Sequence, residues 1–169
     1  FLVMDLVEGR SLRDVLAVCR EAGHVFFEVS NEDWKNGQLA GRFPRGLFDG
    51  VLAESEAEWG SALDRHRPHY AVLYEDSFNY LSKMCLLRMR EAAFTMLAAA
   101  RARGATTIVC GSDATDNGQR YLDRGADWVI VGEGEVTLAD LLDRLSGRAE
   151  GDPRDLPGLA YLGADGAPI

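Results

Sequence analysis

The chain has 169 residues, of which 47% are hydrophobic, and a formal net charge of −9. This length and hydrophobic content predict one domain of ordinary size followed by a short tail. The 27 acidic and 18 basic residues disfavour a nucleic-acid interface or an anionic membrane surface, since both need a concentrated basic face. No apolar run reaches the ~20 residues of a membrane span. The 3 cysteines are widely spaced, which is typical of buried thiols in the reduced cytoplasm.

Apolar runs alternate with helical patterns along the chain. The first run is residues 1–4, and the helical pattern after it ends at Gly23. Further strands are predicted at residues 24–29, 69–74, 106–110 and 128–131, because these runs are apolar or β-branched, as strands buried on both faces require. The predicted helices include residues 53–65, 80–103 and 136–146. We expect Arg88 and Arg90, in the long predicted helix at 80–103, to be solvated.

Five strands separated by helices predict an α/β fold with a doubly wound parallel sheet, flavodoxin-like or Rossmann-like, in the strand order 2-1-3-4-5. Residues 1–148 are assigned to this domain. An acidic, proline-containing linker and half of a hairpin with an Asp-Gly turn are predicted over residues 149–169. Residues 30–53 contain several glycines and little periodicity, so they are expected to form a long connection. It would cap a ligand, contact another domain or be an ordinary surface loop.

Four loops are expected at one edge of this sheet, where the strands end. They are residues 5–10, 75–79, 111–115 and 132–137, and ligands of open α/β sheets bind at that edge. Small residues there would let a large planar ligand approach the backbone closely. The acids Glu133 and Glu135 disfavour a dinucleotide or a flavin whose phosphates bind at the helix start, because two carboxylates there would repel them.

Each loop also has an ordinary structural interpretation. The segment 132–134 fits a tight turn, with Glu133 and Glu135 as first-turn acids that complement a helix dipole. Ser112, Asp113 and Thr115 fit turn or capping residues, and Asn79 fits the cap of the long helix. Taken singly, none of these loops decides between a ligand site and a turn.

Four motifs follow one another in the second half of the chain. They are Gly-Ser-Asp-Ala-Thr at 111–115, Asp-Arg-Gly-Ala-Asp at 123–127, Val-Ile-Val-Gly-Glu-Gly-Glu-Val-Thr-Leu at 129–138 and Leu-Pro-Gly-Leu-Ala-Tyr at 156–161. Over residues 69–166 this order resembles the N-terminal cobalamin-binding domain of cobalamin-dependent radical S-adenosylmethionine (radical SAM) enzymes. In that family these elements occur in this order just before the catalytic barrel.

The resemblance implies that a corrin rests on the loops at the carboxyl edge of the sheet. It implies no catalytic residue and no protein ligand to a metal in this part of the chain. The cobalamin-binding residues that it implies are Asp5, Val7, Glu8, Gly9, Asp76, Ser77, Phe78, Asn79, Tyr80, Gly111, Ser112, Asp113, Gly132, Glu133, Gly134 and Glu135.

The residues after the first predicted strand differ from a cobalt-ligating histidine motif of other cobalamin domains. Many cobalamin domains carry Asp-x-His-x-x-Gly after the first strand, with the histidine ligating cobalt, whereas the aligned stretch here runs from Asp5 to Arg10 with Val7 in the histidine position. Valine cannot ligate a metal. The family resembled often lacks this histidine, and we expect a cobalt without a lower protein ligand, a state suited to methyl transfer.

The chain has no Cys-x-x-x-Cys-x-x-Cys motif for an iron–sulfur cluster. By itself it is therefore expected to bind cofactor without catalysing a reaction. The resemblance implies a parent enzyme, a methyltransferase or a cyclase acting on an unreactive carbon. A radical SAM barrel in the same natural polypeptide, reached through the linker at 149–169, would hold S-adenosylmethionine and the cluster.

A receiver-like or degenerate flavodoxin-like docking or signalling domain is the alternative. Asp5, Asp76 and Ser112 loosely imitate the acids and hydroxyl of a phosphorelay receiver. A receiver also needs a lysine after its fifth strand, and this chain has Gly132 there.

Overall fold

The computed structural model describes residues 25–29, 48–49, 56–75 and 86–169. Its strands are β1 (Val25–Val29), β2 (Phe48–Asp49), β3 (Tyr70–Glu75), β4 (Thr106–Cys110), β5 (Trp128–Ile130) and β6 (Leu159–Ala160). Its helices are α1 (Glu56–His66), α2 (Leu86–Arg101), α3 (Ser112–Asp123) and α4 (Glu135–Leu145), and a short 3-10 helix covers Pro153–Asp155. The predicted alternation of strands and helices is confirmed over these residues.

The described strands form one open sheet in the order β2-β1-β3-β4-β5-β6. The first five are mutually parallel, and β6 runs antiparallel to β5. A mostly parallel sheet flanked by four helices is consistent with the predicted Rossmann-like class. The short strand β2 lies inside residues 30–53, which we expected to be a connection without a strand.

The predicted order 2-1-3-4-5 is wrong at one place. It put residues 1–4 between the strands at 24–29 and 69–74, whereas β1 pairs directly with β3, with Val25 opposite Ala71 and Val29 opposite Glu75. Apolar runs identify strands but not their neighbours, because the backbone N–H and C=O groups that join strands are the same at nearly every residue. The predicted strand at residues 1–4 lies outside the described residues.

Alternate residues of the central strands enter two separate cores. One set packs against α1, α2 and α3, and its core includes Trp59, Leu73, Leu97, Val109 and Tyr121. The other set packs against α4, and its core includes Val72, Ile108, Ile130, Leu138 and Leu142. Helices therefore cover both faces of the sheet. Burial on both faces explains why these strands are apolar at successive positions instead of alternating with polar residues.

The segment after α4 returns to the sheet beside β5. The Val131 amide donates to the Gly158 carbonyl at 2.8 Å, and the rings of Trp128 and Tyr161 lie 5.3 Å apart. Residues 161–169 then close a hairpin in which Tyr161 and Ile169 exchange both backbone hydrogen bonds, at 3.2 and 2.9 Å. The predicted Asp-Gly turn lies within this hairpin.

Two further features of the fold are the environment of the cysteines and the length and apolarity of the helices. Cys110 is buried, as expected, while Cys19 and Cys85 lie outside the described residues. None of the helices in the described part of the chain is both long enough and apolar enough to cross a membrane.

Candidate functional site

Two of the four predicted loops are described, and they lie side by side. Gly111 joins β4 to α3, and residues 131–134 join β5 to α4. Because β4 and β5 are adjacent parallel strands, both loops occupy the carboxyl edge of the sheet. The predicted residues of the other two loops lie outside the described residues, namely Asp5, Val7, Glu8, Gly9, Asp76, Ser77, Phe78, Asn79 and Tyr80.

Gly111 and Gly132 have backbone conformations that favour glycine. Gly111 has φ 152° and ψ 172°, a region populated almost exclusively by glycine. Gly132 has φ +86°, and within the described part of the chain a Cβ built there would meet no atom within 4 Å. The neighbours of Gly132 are also accessible, since Val131 is 42% exposed and Glu133 is exposed. The β5–α4 loop therefore presents bare backbone, an apolar side chain and a carboxylate to the space beyond the strands.

Position 134 requires glycine because there is no space for a side chain. A Cβ at this position would overlap Sγ of Cys110 and would lie 3.4 Å from Cγ2 of Ile130. The glycine therefore lets the start of α4 pack directly on the ends of β4 and β5. This requirement is independent of any ligand. Glu135, the last of the predicted residues, is the first residue of α4.

The Thr115 hydroxyl joins the two loops. Its Oγ1 donates to the Gly111 carbonyl at 2.9 Å and accepts from the Gly132 amide at 3.0 Å. Thr115 was not among the predicted binding residues, although it closes the motif at 111–115. The sequence carried no signal for the bond to Gly132, because that residue lies 17 positions away in another loop.

Asp113 lies at the same edge, but its side chain points into the interface between α2 and α3. Arg90 donates to it from Nε at 2.7 Å, and the Tyr121 hydroxyl donates at 2.7 Å. The Asn117 amide donates at 3.0 Å. The carboxylate is thus saturated by partners within the protein. Its role as a cofactor-binding residue stays a prediction, and its observed contacts are those of a residue that holds two helices together.

Burial and hydrogen bonding act in opposite directions on this carboxyl group. Burial by itself raises the pKa of Asp113, but the hydrogen bonds from Arg90 and Tyr121 and the Arg90 charge outweigh it, so the pKa of Asp113 is below its ordinary value. The hydrogen bond to Asp113 raises the pKa of Arg90. Both groups are charged at neutral pH. The expectation that Arg90 is solvated is wrong, since it is 9% exposed; Arg88 is exposed as expected.

Among the described residues, no side chain caps the start of α3 or of α4, which Gly111 and Gly134 respectively precede. The capping interpretation of Ser112 and Asp113 therefore does not hold, because Asp113 faces Arg90 and Ser112 is the first helical residue. In the described ranges, no group of three or more His, Cys, Asp or Glu side chains could hold a metal ion.

No family model matches the chain, and no curated protein matches it. Among solved structures it is similar to the cobalamin-dependent S-adenosylmethionine radical enzyme OxsB, in a structure with aqua-cobalamin bound and in another that also holds S-adenosylmethionine. Each comparison has 14% sequence identity and a TM-score of 0.55 and covers 86% of this chain. The chain spans 21% of that enzyme's length. At this identity the similarity establishes a shared fold with part of OxsB.

Proposed function

We propose that this domain binds cobalamin at the carboxyl edge of its sheet. The observation that carries the proposal is the similarity of 86% of the chain to part of OxsB, whose structures contain aqua-cobalamin. The order of sequence motifs supports the same cofactor independently of that similarity. The fold itself supports the location, because ligands of parallel α/β sheets bind beyond the strand ends.

The residues present at this edge fit a large macrocycle with amide side chains. Gly111 and Gly132 carry no side chain, and no atom of the described residues lies within 4 Å of a Cβ built at Gly132. The exposed Val131 offers an apolar contact, and the exposed Glu133 carboxylate can accept hydrogen bonds from the amide side chains of a corrin. The same carboxylate would repel a phosphate at the start of α4, so we assign the corrin ring and its amides to this position and not the nucleotide phosphodiester of cobalamin. We therefore place the corrin against the β4–α3 and β5–α4 loops, with the remaining predicted loops as further contacts.

We further propose that the parent enzyme is a methyltransferase or a cyclase. Its S-adenosylmethionine and iron–sulfur cluster would belong to a barrel that this chain does not contain, consistent with a chain that spans 21% of OxsB. Val7 in the position of the ligating histidine supports a cobalt without a lower protein ligand. Electron paramagnetic resonance of the Co(II) form tests this point. Splitting by a protein nitrogen, identified by ¹⁵N-histidine labelling, would contradict it.

The binding test uses hydroxocobalamin, desalting and the visible spectrum. We expect the protein to retain corrin absorbance, and retention of none at micromolar concentrations would overturn the proposal in favour of a receiver-like or docking domain. A receiver would instead accept a phosphoryl group from a small phosphodonor such as acetyl phosphate.

Two matched glycine variants localise the site. Gly132 and Gly147 both have positive φ, and a Cβ at either meets no atom of the described residues within 4 Å. Gly147 follows the end of α4, whereas Gly132 precedes its start. Alanine at either position costs about 1–2 kcal/mol of stability, but only Gly132→Ala is expected to weaken corrin retention. Equal weakening in both variants would show that the loss reflects folding and not the site.

A further inference from the structure

We propose that Thr115 is a positioning residue that fixes the β4–α3 loop relative to the β5–α4 loop, and thereby the surface on which the corrin rests. This inference depends on the proposed function for its ligand. The contact between the loops is observed in the structure and does not depend on the proposed function. One hydroxyl donates to Gly111 and accepts from Gly132, at 2.9 and 3.0 Å.

A hydroxyl group is suited to this position because it is both a donor and an acceptor. The carbonyl of Gly111 accepts both the backbone N–H and the hydroxyl of Thr115, each at 2.9 Å, and the amide of Gly132 donates to the same hydroxyl. Valine has nearly the same shape as threonine but provides neither a side-chain donor nor an acceptor. Serine provides both.

Neighbouring contacts hold each side of this junction in place. Asp113, in the same turn of α3, is bound by Arg90 of α2 and by Tyr121. On the other side, the Val131 amide donates to Gly158 at 2.8 Å. The Thr115 hydroxyl therefore connects two anchored segments. Its loss would free Gly132, an exposed residue with positive φ, to change its position relative to Gly111.

Thr107 provides a matched control because it lies on β4, the strand that leads into the loop at Gly111. It is fully buried, and its hydroxyl donates to the Gly125 carbonyl at 2.7 Å and lies 3.0 Å from Oδ2 of Asp127. It lies near the start of β4, and the loop at Gly111 follows the end of that strand. Thr107→Val removes a comparable hydroxyl at the opposite edge of the sheet, so it tests whether lost stability alone weakens ligand binding.

The first experiment measures the dissociation constant of hydroxocobalamin for wild type, Thr115→Val, Thr115→Ser and Thr107→Val. We expect Thr115→Val to bind about tenfold more weakly, a factor that corresponds to roughly 1.4 kcal/mol. Thr115→Ser should bind within about twofold of wild type, and Thr107→Val should bind like wild type while melting at a lower temperature. Unchanged binding by Thr115→Val, or equal weakening by Thr107→Val, would overturn the proposal.

The second experiment needs no ligand. Amide hydrogen exchange at Gly132 reports the hydrogen bond to Thr115 directly. The exchange rate should rise in Thr115→Val and return toward the wild-type rate in Thr115→Ser. Failure of wild type to retain cobalamin overturns the proposed function and leaves this exchange result standing. Unchanged exchange in Thr115→Val overturns the loop contact, whatever the ligand is.

Discussion

Replacing Asp113 with asparagine should strongly destabilise the protein. The substitution keeps the size of the side chain but leaves Arg90 charged and without its carboxylate. The two side chains are 10% and 3% exposed, so water cannot replace the lost partner. Removing one member of such a buried pair costs about 3–5 kcal/mol, a large fraction of the roughly 5–15 kcal/mol by which domains are stable.

Asp64→Asn is the matched control for this prediction. It makes the same chemical change in the pair between Arg103 and Asp64, whose N···O distance is 2.7 Å but whose side chains are 34% and 66% exposed. Because water can solvate both groups after the change, we expect a much smaller loss of stability. Urea unfolding followed by circular dichroism measures the free energy of unfolding of both variants.

The double variant Arg90→Met with Asp113→Asn refines the test. It removes the unpaired charge, so it should be more stable than Asp113→Asn alone. A loss in Asp113→Asn no larger than that in Asp64→Asn would refute the argument from burial. No recovery in the double variant would show that the cost comes from Tyr121 and Asn117 instead of from Arg90.

Three further predictions concern stability. Folding lowers the pKa of Asp113. The stability that this carboxylate contributes is therefore fully present above the pKa of an unfolded aspartate, about 4, and is lost as the pH falls through the lower pKa of the folded state. The free energy of unfolding should therefore fall less steeply with decreasing pH below pH ~4 in Asp113→Asn than in wild type. Equal slopes would contradict this prediction. Gly134→Ala should cost about 1–3 kcal/mol, since its Cβ overlaps Cys110 in a packed core; Cys110→Ala combined with it should recover part of the loss in thermal melts. Trp59→Phe, which removes the indole bond to Met96 at 3.0 Å, should cost about 1–3 kcal/mol by chemical denaturation, and an unchanged midpoint would show that this bond contributes nothing.

Much of the fold could be predicted from the sequence because local patterns report burial. The apolar run at 106–110 and the start of the run at 128–131 are strands, and the small-residue loops after them lie at one edge. Hydrophobic periodicity likewise predicted the last helix within one residue of each end, 136–146 against Glu135–Leu145. The Asp-Gly pair marked the turn of the final hairpin.

The candidate site was predictable only in outline. The sequence indicated Gly111 and Gly132, because glycine after a buried strand is a local signal. It did not indicate that Asp113 faces Arg90, or that Thr115 binds Gly132. Those contacts join residues 23 and 17 positions apart on different elements, and no periodicity of a single element encodes them.

By itself, then, the sequence determined the α/β class, the main strands and helices, and the edge of the sheet at which to look for a ligand. Tertiary structure decided that β1 pairs with β3, that Arg90 is buried, and that Gly134 must be small because Cys110 lies against it. The physical reason is common to all three. Backbone pairing, ion pairing and close packing depend on which surfaces meet, and which surfaces meet is fixed only when the elements assemble around a shared core.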